Sequence, residues 1–211
     1  MRVSDAAQGT AEWTALRLGK ATGSRFADVL AAGKGLTRRA YATQLALEIV
    51  TGQPLDTFTT LAMETGVERE PVARAEYEAL TGNFVTEVGF CLHEHLPCGV
   101  SPDGLVDDDG GVEIKCPRER THADYLSLPA EPPGYTAQIQ GSMWVTQRKW
   151  WDFVSFNPAF PPNARLIVRR IYRDEAYIAR LEESITQFSA EVQNTVALIR
   201  NYRNPQLTQA A

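Results

Sequence analysis

Three residue types with chemistry in them crowd into one short stretch, Gly99 to Pro117: the carboxylates of Asp103 and Glu113 and the ammonium of Lys115. In an extended strand side chains alternate between faces, so Glu113 and Lys115 share one face while Ile114 turns toward the core. Two carboxylates and a backbone carbonyl on one strand edge make an oxygen-rich cage of the kind that suits Mg²⁺ or Mn²⁺. A lysine beside them is placed to orient or deprotonate a water, or to offset charge developing on a phosphate. That chemistry calls for a phosphodiester. Nucleophilic alternatives fail: no histidine stands in a context that would activate a serine or cysteine, and no Gly-x-x-x-x-Gly-Lys-Ser/Thr loop is present for a nucleoside triphosphate.

The elements that must position these residues follow from pattern. Asp109-Gly110-Gly111 reads as the turn of a tight hairpin between Asp103 and Lys115. Residues 12–32 read as two short helices around a glycine turn, with Ser24 as N-cap of the second, where free N–H groups favour an anion. Helices are expected from Arg38 to Thr51 and from Glu64 to Leu80, with Pro71 kinking or restarting the latter and Gly82 closing it. Phe84 to Phe90 reads as a strand. Tyr135 to Val145 reads as a helix that carries Gln138 next to an Ile139/Met143 stripe. Strands at 150–156 and 166–172 and a long helix from Asp174 to about Arg203 complete the chain. A run of soft ligands, Cys91, His93, His95 and Cys98, matches no standard zinc spacing; alternation would put the first three on one strand face, and the run reads as an exposed loop with buried cysteines.

With 211 residues, 44% of them hydrophobic, the chain suits one domain over 1–203 followed by a disordered tail at 204–211. No apolar run is long enough for a signal peptide or a membrane span, and three cysteines without a close pair suit a reducing compartment, so a soluble, cytoplasmic protein is expected. The net charge of −5 argues on its face against nucleic acid. However, Arg17, Lys20, Arg25, Lys34, Arg38 and Arg39 gather in one early segment, and carboxylates that hold a cation do not repel an anionic substrate.

Pro102-Asp103 followed by Glu113-Ile114-Lys115 resembles the motif of the PD-(D/E)xK nuclease superfamily. The surrounding Leu16-Arg17-Leu18-Gly19, Thr22-Gly-Ser24, Gly66-x-x-x-Glu70, Ser101-Pro-Asp103-Gly-Leu105, Glu113-Ile-Lys-Cys-Pro117 and Ala137-Gln138-Ile-Gln140 resemble, in order and spacing, the phage lambda exonuclease-like, YqaJ-like viral recombinase family. The resemblance runs from about Trp13 to the final helix. It implies an α/β fold with a central mixed sheet flanked by helices, and a processive 5′→3′ exonuclease that degrades one strand of linear duplex DNA to 5′-mononucleotides. By position it implies Asp103, Glu113 and the Ile114 carbonyl as ligands of one Mg²⁺, Glu70 as the extra carboxylate of a metal pair, Lys115 acting on the attacking water and Gln138 near that water. Arg17 and Ser24 match residues that hold the 5′-phosphate. Two positions depart: Lys34 stands where the family has an arginine reaching the DNA, and Met63 where it has a wedge leucine; charge and bulk are kept, but lysine does not reproduce a bidentate contact. The resemblance further implies a homotrimeric ring on double-stranded DNA ends and a single-strand annealing protein as partner. Rival readings are an endonuclease or an iron–sulfur nuclease of the same superfamily, the latter needing four cysteines, and a non-catalytic DNA-end-binding protein.

Overall fold

The computed structural model describes residues 1–31, 36–55 and 61–203, with side chains from residue 68 onward in the last of these. Lys34, the side chain of Met63 and the tail 204–211 lie outside the described residues. Strands β1 (Arg2–Val3), β2 (Ala21–Thr22), β3 (Val85–Thr86), β4 (Cys91–Leu92), β5 (Cys98–Val100), β6 (Gly104–Val106), β7 (Gly110–Lys115), β8 (Trp150–Phe156) and β9 (Leu166–Tyr172) form two mixed sheets, ordered β1-β4-β5-β2 and β3-β6-β7-β8-β9. The helices are α1 (Ala11–Arg17), α2 (Phe26–Leu30), α3 (Leu36–Thr51), α4 (Leu61–Thr81), α5 (Glu119–Leu126), α6 (Thr136–Thr146) and α7 (Glu175–Asn201).

β7 is the pivot. It pairs antiparallel with β6 and parallel with β8, and a parallel pair cannot be closed by a hairpin. The crossover from Cys116 to Lys149 therefore carries α5 and α6, which brings a helix back against the strand it has just left. Alternation along β7 then sorts its side chains. Val112 and Ile114 join Ala73 and Tyr77 of α4 and Val154 and Phe156 of β8 in one core cluster. On the other face, Ile139 and Met143 of α6 pack against Leu105, Trp151 and Phe153, and Glu113 points to that side. Each fully buried aliphatic side chain contributes about 1.5–3 kcal/mol, so two apolar layers clamp one charged strand. A third cluster joins Phe26 and Val29 of α2, Tyr41 and Leu45 of α3, Trp144 of α6 and Leu181, Ile185 and Phe188 of α7. Asp174 caps α7, its carboxylate accepting from the Tyr177 N–H at 3.0 Å.

Four local expectations are corrected. The hairpin turn is Asp107–Asp109, with Asp107 left-handed at φ 45°, while Gly110 and Gly111 belong to β7, paired with Val106 and Leu105. Phe84–Phe90 is not one strand: β3 holds only Val85–Thr86, after which the chain leaves its sheet and joins the other, Gly89 and Phe90 bonding to Ser4. Pro71 does not break α4, because its ring lies on an exposed side of a helix whose next turn is anchored by buried Ala73 and Tyr77. Ser24 is not an N-cap; it sits inside a 3₁₀ turn, Gly23–Arg25, and Arg25 precedes α2.

Candidate active site

At the C-terminal end of β7 the carboxylate of Glu113 is 1% exposed. Its Oε1 accepts a 2.6 Å hydrogen bond from the side-chain amide of Gln138 and pairs with the Lys115 ammonium. Its Oε2 is buried and has no hydrogen-bond partner among the described residues. Asp103, immediately before β6, accepts a 2.6 Å bond from the Ile114 N–H, which fixes it beside β7 across the hairpin. Glu70 comes from α4, held by Arg74 at 2.8 Å, and Arg74 also pairs with Glu87. Glu70, Asp103, Glu113, Ile114, Lys115 and Gln138 all line one cavity of about 740 Å³.

Arg17 and Ser24 line the same cavity, brought there by α1 and the 3₁₀ turn. The Arg17 guanidinium lies 3.9 Å over the Trp13 ring, and the Trp13 indole N–H donates to Ser101 Oγ at 2.9 Å. Gln8 reaches the Pro102 carbonyl at 3.2 Å. These bonds tie the N-terminal segment to the loop that delivers Asp103, so the two walls are built together. Sequence patterning missed Trp13, Gln8, Arg69, Arg74 and Tyr135 as site residues: Trp13, Gln8, Arg74 and Tyr135 act through long-range contacts that have no local periodicity, and Arg69 joins the site only through the cavity it lines.

The electrostatics are those of crowded acids. Burial pushes the Glu113 carboxyl up to about 7, with Asp103 and Glu70 adding to the rise and Lys115 opposing it. Burial also raises Asp103, against the pull of Lys115, and raises Glu70, helped by Asp103 and resisted by Arg74. Burial alone would lower Lys115, but Glu113 and Asp103 overcome it and hold the group as an ammonium. Among the described residues no three His, Cys, Asp and Glu side chains are already gathered as a complete cation cage. The fit to a hard divalent cation rests instead on an all-oxygen donor set and on the orphaned Glu113 Oε2, a buried acceptor that nothing among the described residues satisfies.

The soft-ligand run is structural. β4 ends at Leu92, so Cys91, His93 and His95 do not share a strand face; His93 Nδ1 accepts from the His95 and Leu96 N–H groups in a turn, and its ring packs 4.4 Å from Trp144. Cys91 and Cys98 are buried thiols. The buried His122 is likewise engaged on both ring nitrogens, with Ser155 Oγ and the Ala164 carbonyl at 2.8 Å each.

A sequence model of the YqaJ-like viral recombinase domain matches residues 12–149, which include Arg17, Ser24, Glu70, Asp103, Glu113, Lys115 and Gln138. The chain belongs to that family. Among solved relatives is an alkaline exonuclease from Laribacter hongkongensis, whose structure in complex with dAMP is 39% identical at a TM-score of 0.86, covering 96% of this chain and 100% of that one. A phage-related exonuclease from Haemophilus somnus 129PT, 17% identical, shares the fold at a TM-score of 0.71 over 85% of this chain and 96% of its own. ExoD of Escherichia coli (strain K12) is 34% identical over 65 residues, which are 31% of this chain and 74% of that protein. The mixed α/β architecture with a central sheet is therefore the family's, and membership supports a nuclease role in recombination acting on DNA. Among the described residues no helix is long and apolar enough to cross a membrane.

Proposed function

We propose that this protein is a Mg²⁺-dependent, processive 5′→3′ exonuclease that removes one strand of linear duplex DNA as 5′-mononucleotides during phage-type recombination in the host cytoplasm. The observation that carries the reading is the Glu113 carboxylate, one oxygen held by Gln138 and Lys115 and the other buried without a partner beside Asp103. Asp103, Glu113, the Ile114 carbonyl and Glu70 would hold one or two Mg²⁺ ions, which when bound supply Lewis acidity and a more acidic water.

The chain's own groups account for the rest. Arg17 and Ser24 bind the terminal 5′-phosphate through charge-assisted hydrogen bonds, as the first wall of the cavity. Lys115, an ammonium between two carboxylates, orients the attacking water or offsets charge on the phosphate oxygens. Gln138 keeps Glu113 aimed with its second oxygen toward the reaction centre. Water adds to phosphorus and the bond to the 3′-oxygen breaks, so the terminal nucleotide leaves with a 3′-hydroxyl and the shortened strand keeps a new 5′-phosphate. That phosphate is again a ligand for Arg17 and Ser24, which supports stepwise digestion. A homotrimeric ring around the duplex and a single-strand annealing partner belong to the same proposal.

The test is a linear duplex labelled at its 5′ or 3′ end, digested with and without Mg²⁺, beside a closed circular duplex. The 5′ label should appear first as a mononucleotide, only with Mg²⁺, and the circle should survive. Early release of the 3′ label, or cutting of the circle, would overturn the reading.

A further inference from the structure

We infer that Arg69 and Arg118 form a second phosphate-binding pair in the same cavity, gripping the backbone of the digested strand on the 3′ side of the scissile bond. The inference rests on the nuclease reading above and adds a subsite to it. Both arginines line the cavity, and both come from elements other than those that carry Arg17 and Ser24. Arg69 immediately precedes Glu70 on α4, and Arg118 follows Pro117 where the chain leaves β7 and enters α5. They therefore flank the chemistry from two separate elements, each within a few residues of a site carboxylate or Lys115.

Their charge is available. Several other guanidinium groups are committed to acids: Arg38 to Glu191, Arg74 to Glu70, Arg165 to Glu76, Arg170 to Asp152 and Arg173 to Glu175. Arg69 is half-buried and Arg118 exposed, and neither has a carboxylate partner among the described residues. The nearby acids are already engaged: Glu70, next to Arg69, is held by Arg74, and Glu119, next to Arg118, is the first residue of α5, where its charge faces that helix's positive end. In a chain of net charge −5, unneutralised cations gathered at one cavity are where an anionic polymer would be held. Direction follows from order along the strand. With the 5′-phosphate on Arg17 and Ser24 and the scissile phosphate at Glu113 and Lys115, the strand on the 3′ side would run on along the residues that border Glu70 and Lys115, where planar guanidinium forks match phosphate oxygens.

The test uses full-length protein carrying Arg69→Gln, Arg118→Gln, both together, and both as Lys, with Arg180→Gln on remote α7 as control. Binding of a 5′-phosphorylated duplex is read by fluorescence anisotropy without divalent metal over a range of salt. Each Gln change should weaken binding about tenfold and lower the log–log salt slope by about one, because one phosphate contact is lost. The Lys pair should keep the slope, since charge is preserved. In digestion assays the ratio of rates on 5′-phosphate and 5′-hydroxyl ends should stay at the wild-type value, because that ratio reads the Arg17 wall. A slope in the double Gln variant equal to that of wild type and Arg180→Gln would overturn the inference. Wild-type protein that binds with the expected slope yet leaves linear duplex intact would instead sink the exonuclease reading and leave the phosphate subsite standing.

Discussion

Gln138 donates a 2.6 Å hydrogen bond to the same Glu113 oxygen that Lys115 holds, so a helix and a strand fix one carboxylate while its other oxygen stays unsatisfied. The pairing makes the three residues separable by role. Lys115→Ala should lower single-turnover digestion of linear duplex by about a hundredfold or more, the range for loss of a charge aimed at a developing anion. Gln138→Ala should cost about 10–100-fold, because it frees the ligand without removing it. Both should bind DNA ends with near wild-type affinity. Full activity in Lys115→Ala would refute the assignment of this strand as the reaction centre.

If Glu113 is a metal ligand as proposed, a proton and a cation compete for it. Its carboxyl, raised by burial from 4.5 to about 7, favours the neutral form in the metal-free fold. Its stability contribution is therefore complete below about 4.5 and lost as pH climbs through about 7. Metal needs the ionised form, so calorimetric Mg²⁺ affinity should weaken about tenfold per pH unit below that value and level off above it. Glu113→Gln should abolish both most of the affinity and this pH dependence. Affinity independent of pH between 5 and 8 in the native protein would show that another group carries the metal.

Arg74 is a positioning residue for Glu70. Its guanidinium is only 13% exposed and bridges Glu70 and Glu87. Arg74→Gln should leave Glu70 half-buried without its counter-charge and weaken Mn²⁺ or Mg²⁺ binding by about 10–100-fold, the usual effect of losing a group that orients a metal ligand. Arg74→Lys should recover only part of this, since one ammonium does not span two carboxylates as a guanidinium fork does. Unaltered metal titrations in Arg74→Gln would remove Glu70 from the ligand set.

The terminal phosphate gives a separate test of Arg17 and Ser24. Native protein should digest 5′-phosphorylated ends about tenfold or more faster than 5′-hydroxyl ends, the scale of one or two charge-assisted hydrogen bonds. Arg17→Ala should bring the two rates together by slowing the phosphorylated substrate. If the ratio survives that change, the phosphate is read elsewhere.

How far this site could be read from sequence depends on how local its determinants are. Glu113, Ile114 and Lys115 sit on one strand, where alternation alone sorts their faces, and Asp103 lies across a single hairpin. The long helices were legible for the same reason, α7 burying Ile178, Leu181, Ile185, Phe188, Val192 and Val196 at helical spacing. What sequence could not give was anything settled by a remote partner. Arg74 looks like one more charge on an acidic helix until Glu87 arrives from the loop after β3. Trp13 becomes part of the site only through Ser101. The Cys91–His95 alternation failed because the chain turns after Leu92, where the His93 ring folds back on the next N–H groups instead of extending a strand.

The glycines misread as a turn supply the last prediction. Both lie in β7 under tryptophans of β8: a Cβ at Gly110 would fall 2.0 Å from the Trp150 ring, and one at Gly111 would fall 2.2 Å from the Trp151 ring. Ordinarily Gly→Ala in a strand is stabilising by up to about 1 kcal/mol through the unfolded chain. Here the clash decides the sign, and the two sites should differ because their neighbours do. Trp151 is fully buried among Leu105, Ile139, Met143 and Phe153 and has no room to yield. Trp150 is half-exposed, flanked by Arg170 at 3.7 Å, and its ring can move outward. Gly111→Ala should therefore cost about 1–3 kcal/mol and lower the melting temperature by roughly 3–10 °C, with Gly110→Ala well below that. Because Gly111 lies on the same strand face as Glu113, the displaced strand should also lose metal affinity in Gly111→Ala but not in Gly110→Ala. Equal melting temperatures for the two variants would mean that β7 is free to shift, and that the rigid placement of Glu113 does not come from this contact.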